Sequence, residues 1–126
     1  MNQEDCLSKE IINAAIEVHR HLGPGLLESA YEQCLYSELL ERGLKTDRQL
    51  ALPIVYKGKQ VDCAYRLDLV VENKVIIELK AVNKLEHLHH AQVLTYLKLS
   101  GYRLGLLFNF NTQILKHGIK RIVMNL

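Results

Sequence analysis

The sequence predicts an α/β fold in which a mixed β-sheet is flanked by helices. Apolar residues recur with helical spacing in the first third of the chain and alternate as in strands through the middle. A helical segment then separates two strand-like runs, and such a crossover joins strands that lie parallel in a sheet. We expect a single domain over residues 1–126, with N-terminal helices over about 5–43 and the sheet with its crossover helix over about 50–124.

Two helices are predicted in the first third of the chain. Ile11, Ala15 and neighbouring apolar residues follow the helical period between residues 5 and 21. Gly23-Pro24-Gly25 interrupts that period, since glycine and proline both oppose a continuing helix. A second helix is expected from about residue 26 to residue 42.

Strands are predicted after the helices. An apolar run over residues 50–56 ends at the turn dipeptide Lys57-Gly58. Alternation follows, so we expect the odd-numbered residues from Val61 to Val71 on one face and the even-numbered residues between them on the other. The remaining elements are expected as strands over 74–81, 104–110 and 119–124, with the crossover helix over 85–99.

The composition is that of an ordinary globular protein. Of the 126 residues, 48% are hydrophobic and 24% are charged, and this balance excludes disorder and collagen-like structure. No apolar run approaches the roughly 18 residues of a membrane span. The first residues are polar and acidic, so we expect no secretory signal, no membrane partner and a cytoplasmic location.

Several classes of chemistry lack their motifs. The three cysteines are widely spaced and form no C-x-x-C pair, which excludes a zinc ribbon and a disulfide framework. No G-x-x-x-x-G-K-[ST] and no G-x-S-x-G is present, so a glycine-rich phosphate loop and acyl transfer lack support. His87, His89 and His90 cannot all converge on one face of a helix, although His87 and His90, three residues apart, could form a pair. Because no thiolate or matched carboxylate partner accompanies that pair, we do not expect a zinc site.

The charges are unevenly distributed along the chain. The net charge is +2, and all 14 Asp and Glu residues lie at or before Glu86. The residues beyond it carry basic side chains alone, at Lys98, Arg103, Lys116, Lys120 and Arg121. This excess could attract a phosphate backbone, or it could form a solvated basic surface.

A hairpin in the middle of the chain brings charged side chains together. Glu78 and Lys80 are two residues apart on a strand and therefore point to one face. If the turn takes three residues, Val71 pairs with Val75, and Asp68 then lies opposite Glu78. Facing carboxylates destabilise a sheet unless something compensates them, and Mg²⁺ or Mn²⁺ would do so. The alternative is a solvent-exposed face on which Lys80 partly neutralises the acids.

The order of these residues resembles that of the PD-(D/E)XK nuclease superfamily. Asp68 and the run Glu78-Leu79-Lys80 match its motif, although Leu67 stands where the motif has proline. Residues 25–31 match the G-x-x-E-x-x-Y signature of one group within that superfamily. Residues 92–96 form a Q-x-x-x-Y element similar to that of recombination-associated exonucleases. The resemblance extends over roughly residues 11–123.

The resemblance implies a restriction-endonuclease-like domain and gives each residue of the hairpin a role. Asp68 and Glu78 would bind Mg²⁺ or Mn²⁺, and Glu28 would be a further acidic ligand from the second helix. Lys80 would orient or help to activate the attacking water. Glu28 has an alternative explanation, because the helix dipole favours an acid in a first helical turn. Tyr31, one turn after Glu28, is interpreted as a packing residue that supports it.

Gln92 and Tyr96 complete the catalytic residues that the resemblance implies. They lie four residues apart on one stripe of the crossover helix and could position Lys80 or a substrate phosphate. Tyr96 could equally be a core residue. Arg66 could contact phosphate or pair with a neighbouring acid. The remaining candidates for nucleic-acid binding are Arg103, Lys116, Lys120 and Arg121.

The expected function is that of a metal-dependent nuclease that hydrolyses phosphodiester bonds of nucleic acid, with DNA as the expected substrate. The alternative is a non-catalytic nucleic-acid-binding or assembly module that retains the nuclease fold. In either case a homodimer or a partner protein could supply target specificity, because so small a chain has few elements of its own to read a target.

Overall fold

The computed structural model describes residues 2–126, apart from the side chains of residues 62–64. Its elements in chain order are α1 (Gln3–Leu22), α2 (Glu28–Glu41), β1 (Thr46–Tyr56), β2 (Lys59–Val71), β3 (Val75–Lys80), α3 (His87–Ser100), β4 (Leu104–Asn109), a 3₁₀ helix (Leu115–Gly118) and β5 (Ile119–Val123). In this described part of the chain the strands form one mixed sheet in the order β1-β2-β3-β4-β5. The predicted α/β fold, a mixed sheet flanked by helices, is confirmed. None of the described helices combines the length and the apolar character that crossing a membrane requires.

Capping interactions set the ends of α1. The Asn2 side chain accepts the N–H of Asp5 at 2.7 Å and so satisfies a free donor of the first turn. At the other end Gly23 adopts a φ of 67°, and its N–H donates to the carbonyl of His19 at 2.8 Å. The predicted glycine–proline break follows, and α2 begins at Glu28.

The β2–β3 hairpin has the predicted register. Val71 pairs with Val75, and the turn residues Glu72 and Asn73 have φ values of 52° and 55°. The N–H of Lys74 donates to the carbonyl of Val71 at 3.0 Å and closes the turn. Beyond the hairpin, β3 pairs in parallel with β4, and β4 pairs antiparallel with β5, which makes the sheet mixed.

Helix α3 is the predicted crossover between β3 and β4. It packs on the sheet through Val93 and Leu97. A Cβ atom at Gly105 would lie 2.6 Å from the Cγ1 of Val93, so the absence of a side chain at this position lets α3 approach the sheet closely. Gly101 ends the helix with a φ of 82°.

The sheet separates two apolar cores. The first lies between the sheet and the pair α1 and α2, and the second lies between the sheet and α3. Strand β3 contributes Ile77 and Leu79 to the first core and Ile76 to the second. Because side chains alternate along a strand, Glu78 and Lys80 project on the α3 side of the sheet.

The strict alternation predicted along β2 is wrong near Leu67. Leu67 belongs to the α3-side core together with Val70, whereas Leu69 belongs to the other core. The alternation of faces changes at Asp68, whose carboxylate accepts the backbone N–H of Leu79 in β3. The faces predicted for residues 62–64 lie outside the described side chains.

Strand β1 begins earlier than the predicted residue 50. It starts at Thr46, which is buried and pairs with Val71 of β2. The polar residues before position 50 hide this part of the strand in the sequence because they carry no apolar alternation, and their pairing with β2 reveals it.

Candidate active site

Asp68 and Glu78 lie side by side at the end of the paired part of β2 and β3. The antiparallel pairing runs to Leu69 and Ile77, and the next position along each strand holds one of the two acids. Asp68 Oδ2 accepts the backbone N–H of Leu79 at 2.9 Å. The two carboxyl groups lie near enough for the charge of Asp68 to act on Glu78. The structure thus places the two acids together, as the turn length predicts.

Burial changes the protonation of this pair. Burial, followed by the charge of Asp68, raises the pKa of Glu78 to about 8. Burial also raises the pKa of Asp68, although the hydrogen bond from the N–H of Leu79 counteracts the rise. The pair therefore keeps a proton at neutral pH unless a further positive charge replaces it.

The chemistry of these residues fits a divalent metal ion. Glu78 Oε1 is buried without a hydrogen-bond partner, so a cation could satisfy this acceptor. Lys80 Nζ lies 3.7 Å from Glu78 Oε2 and supplies a single positive charge. Mg²⁺ commonly binds through one or two carboxylates, and water and substrate phosphates complete its shell. Within residues 2–126, where side chains are described, no three acidic, histidine or cysteine residues surround one point, so Asp68 and Glu78 are the ligand pair that the geometry offers.

Glu28 reaches the end of β3 from the first turn of α2. Its Oε2 accepts the N–H of Ala81, the residue after the strand, at 3.4 Å. Tyr31 holds this turn in place: its hydroxyl donates to the carbonyl of Gly23 at 2.6 Å and accepts the N–H of Leu26 at 3.1 Å. Tyr31 is therefore a packing residue that supports the turn of Glu28. Metal binding by Glu28 stays a prediction.

Glu32 is a residue of the site that the sequence did not reveal. It lies one turn beyond Glu28 on α2. It is buried, and it accepts hydrogen bonds from Arg48 Nε at 2.8 Å and from Gln49 Nε2 at 2.5 Å. Gln49 Nε2 also lies 3.5 Å from Asp68 Oδ1, and the charge of Glu32 adds to the raised pKa of Asp68. The four-residue spacing from Glu28 is the signal that could have revealed it.

Tyr96 points from α3 toward the two acids. It belongs to the α3-side core, with 5% of its surface exposed. Burial, followed by the charges of Glu78 and Asp68, raises the pKa of Tyr96 to about 12. Gln92 lies one turn earlier, and its side chain partly counteracts the rise in the pKa of Tyr96. Tyr96 is thus a core residue whose hydroxyl also borders the candidate site.

Asn109 is a second residue that the sequence did not reveal. It is buried at the end of β4, where it pairs with Lys80 of β3. Its side chain accepts the N–H of Val82 at 3.0 Å and donates to the carbonyl of Val82 at 2.9 Å. These bonds fix the segment that leaves β3 directly after Lys80. The signal in the sequence is that Asn109 carries an amide between Phe108 and Phe110, within an otherwise apolar run.

Lys120 and Arg121 project on opposite sides of the sheet. Lys120 pairs with Leu107, which in turn pairs with Glu78, so Lys120 shares a cross-strand row and the α3 side with the acids. Arg121 is the next residue and projects on the opposite side, where it forms an ion pair with Asp5. The adjacent basic residues therefore face different surfaces of the protein.

The other residues predicted to bind nucleic acid are dispersed. Arg66 Nη1 donates to the carbonyl of Gln49 at 3.1 Å, so this side chain lies along β1. Lys116 is exposed on the 3₁₀ helix, and Arg103 is exposed just before β4. The predicted basic set does not form one continuous patch, and Lys120 is the member that shares the α3 side and a cross-strand row with Glu78.

Comparison with known proteins gives one match. The family model described as the PD-(D/E)XK nuclease superfamily matches residues 5–122. The matched stretch contains α1 from residue 5 onward, α2, the crossover helix and all the candidate catalytic residues. No curated protein and no solved structure matches the chain at a significant level.

Proposed function

The chain belongs to the PD-(D/E)XK nuclease superfamily, and we propose that it is a metal-dependent nuclease that hydrolyses phosphodiester bonds of nucleic acid, with DNA as the expected substrate. The observation that carries this proposal is the pair of Asp68 and Glu78, in which the buried Glu78 Oε1 has no partner. A half-buried and a buried acid beside the single charge of Lys80 cost stability, and apolar residues would serve a purely structural role better.

Asp68 and Glu78 would hold Mg²⁺ or Mn²⁺, and Glu28 would join them from α2. Such an ion, when bound, polarises the phosphate and lowers the pKa of a coordinated water. The protein supplies two carboxylates on neighbouring strands: Glu78 is buried, and Asp68 is half-buried and accepts the N–H of Leu79 at 2.9 Å. The high pKa of Glu78 means that metal binding at neutral pH would release a proton.

Lys80 would orient the attacking water and offset the negative charge that develops on the phosphate. It lies on the same face as Glu78, and 19% of its side chain is exposed. Two hydrogen bonds between the Asn109 side chain and the backbone of Val82 hold the segment that follows Lys80. Gln92 and Tyr96, one turn apart on α3, would position Lys80 or the phosphate.

Phosphate binding is assigned first to Lys120, which lies on the α3 side in the same row as Glu78. Arg103, Lys116 and Arg121 would contribute at longer range, since the charge of a nucleic-acid backbone attracts any basic surface nearby. Arg66 would contact the strand only if substrate displaces its bond to β1.

We also place the chain in the GxxExxY group of the superfamily. Gly25 has a φ of 97°, Glu28 accepts a bond from the end of β3, and Tyr31 fastens the loop before the helix. These residues of the signature form one structural unit beside the acids, which supports the assignment. A homodimer or a partner protein would supply target specificity.

The test is cleavage of a panel of single-stranded, duplex and branched DNA and RNA with Mg²⁺ or Mn²⁺. Asp68→Asn is the matched variant, because it keeps the shape of the side chain and removes the charge. The proposal expects cleavage that needs the metal and disappears in Asp68→Asn. Binding of nucleic acid without cleavage of any substrate would favour the alternative, a non-catalytic module with the nuclease fold.

A further inference from the structure

An apolar groove lies between α3 and the β1–β2 hairpin. Its volume is about 700 Å³, and its walls include Ile54, Tyr65, Leu88, Gln92, Tyr96 and Leu99. The rings of Tyr65 and Tyr96 stand 6.1 Å apart and are tilted by 50°, and the more exposed Tyr65 offers an aromatic surface at one end of the groove.

The walls of this groove are open to water. The exposed fraction of the surface is 77% for Leu88, 45% for Tyr65 and 41% for Leu99. Neighbouring apolar side chains exposed to this extent mark a site that binds something. These three residues lie outside the buried core beneath α3, so their exposed apolar surface is available to a ligand.

Tyr96 connects the groove with the candidate active site. It lines the groove, and the charges of Glu78 and Asp68 act on its hydroxyl. Gln92, one turn before Tyr96 on α3, also lines the groove and gives it a polar group. An occupant of the groove would therefore lie against Tyr96, on the same side of the sheet as Glu78.

We propose that this groove binds an unpaired nucleobase of the nucleic-acid substrate, so that the preferred substrate is single-stranded at the cleavage site. This inference rests on the proposed nuclease function and names its substrate class. A nucleobase has flat faces that stack on aromatic side chains and a polar edge that an amide can recognise. A base within a duplex is stacked and paired on both sides and cannot enter such a groove without leaving the helix.

The test compares the affinity of the protein for a 5′-fluorescein-labelled deoxyoligonucleotide, single-stranded or in a duplex, by fluorescence anisotropy in EDTA. Tyr65→Ala removes one aromatic wall, and Leu88→Ser alters the most exposed wall without touching the core. Tyr56→Ala is the control, because Tyr56 is 63% exposed on β1 but does not line the groove. An oligonucleotide with abasic positions keeps the phosphates and removes the bases.

The parent protein should prefer the single strand to the duplex and to the abasic strand. Tyr65→Ala should weaken single-strand binding by roughly 5- to 150-fold, the range for one lost base–aromatic stack, and Leu88→Ser should weaken it as well. The salt dependence should not change, since no phosphate contact is lost. Tyr56→Ala should bind as the parent does.

Equal binding of single strand and duplex, or unchanged binding in both groove variants, would overturn the proposal. A parent dimer that Leu88→Ser separates would overturn it too, because a second copy of the chain would then occupy the groove. Failure here is distinct from failure of the nuclease function. Cleavage lost in Asp68→Asn but unaffected by the groove variants would refute the groove alone, whereas groove-dependent binding with no cleavage would refute the nuclease alone.

Discussion

Replacement of Glu78 by glutamine should make the metal-free protein more stable at neutral and alkaline pH. The substitution keeps the size of the buried side chain and removes its ionisation. In the folded protein, burial and the charge of Asp68 raise the pKa of Glu78 to about 8, from an ordinary value of 4.5. Between these two values the folded state binds more protons than the unfolded state, so the free energy of unfolding of the parent falls as the pH rises.

The size of the effect follows from the same two pKa values. At about 1.36 kcal/mol per pH unit, the loss between pH 4.5 and pH 8 is at most about 5 kcal/mol. Below pH 4.5 the carboxyl is protonated in both states, and Glu78→Gln should then differ little from the parent. The advantage of the variant should grow steadily above that pH and level off above pH 8.

Urea unfolding in EDTA at pH 5, 6, 7 and 8 measures this difference. Glu41→Gln is the matched control, because it removes an exposed carboxyl from α2. The reasoning is refuted if the parent and Glu78→Gln show the same pH dependence of the free energy of unfolding. It is also refuted if Glu41→Gln reproduces the gain of Glu78→Gln.

Three further predictions concern the roles of single side chains. Lys80→Met should still bind Mn²⁺ in calorimetry but should cleave about 10²- to 10³-fold more slowly in single turnover, since the ammonium stabilises the transition state; an unchanged rate contradicts its role. Tyr31→Phe loses two hydrogen bonds to the loop before α2 and should lower the free energy of unfolding by about 1–3 kcal/mol in urea titrations; full stability would show that the loop does not need them. Lys120→Ala should weaken nucleic-acid binding and lower the slope of log K against log salt by about 0.7–0.9, whereas Arg121→Ala, on the opposite side, should change it less; the reverse order would place the substrate on the α1 side.

The local pattern of the sequence determined much of the fold and of the site. The short turn between Val71 and Val75 fixes the register of the hairpin, and that register alone places Asp68 beside Glu78. Alternation along β3 then puts Lys80 on the same face. These features could be predicted because each depends on residues close together in the chain.

Contacts between distant elements could not be predicted in this way. Glu32 acts on Asp68 only because α2 lies against the start of β1, where Arg48 and Gln49 donate to it. The Asn109 side chain accepts the backbone N–H of Val82, which lies 27 residues earlier in the chain. No periodicity encodes such pairings, since they depend on how helices and loops pack on the finished sheet.

The face of Leu67 was mispredicted for a related reason. A strand in strict alternation would carry Leu67 and Leu69 on one face, but the two residues lie in different cores. The carboxylate of Asp68 between them bonds to the backbone of β3, and the alternation shifts there. The hydrogen bond that holds Asp68 at the candidate site therefore lies where the strict alternation of side chains along β2 ends.

The central claim is that Asp68 and Glu78 together bind a divalent metal ion in place of a shared proton. Calorimetric titration of the protein with Mn²⁺ at pH 7, repeated in buffers with different ionisation enthalpies, measures both the binding and the protons released. The account predicts one ion per chain and close to one proton released, since the pKa of Glu78 is about 8 without the ion. It also predicts that Asp68→Asn loses the ion and that Glu78→Gln loses the proton release. Binding of Mn²⁺ that releases no proton and persists in both variants would contradict it.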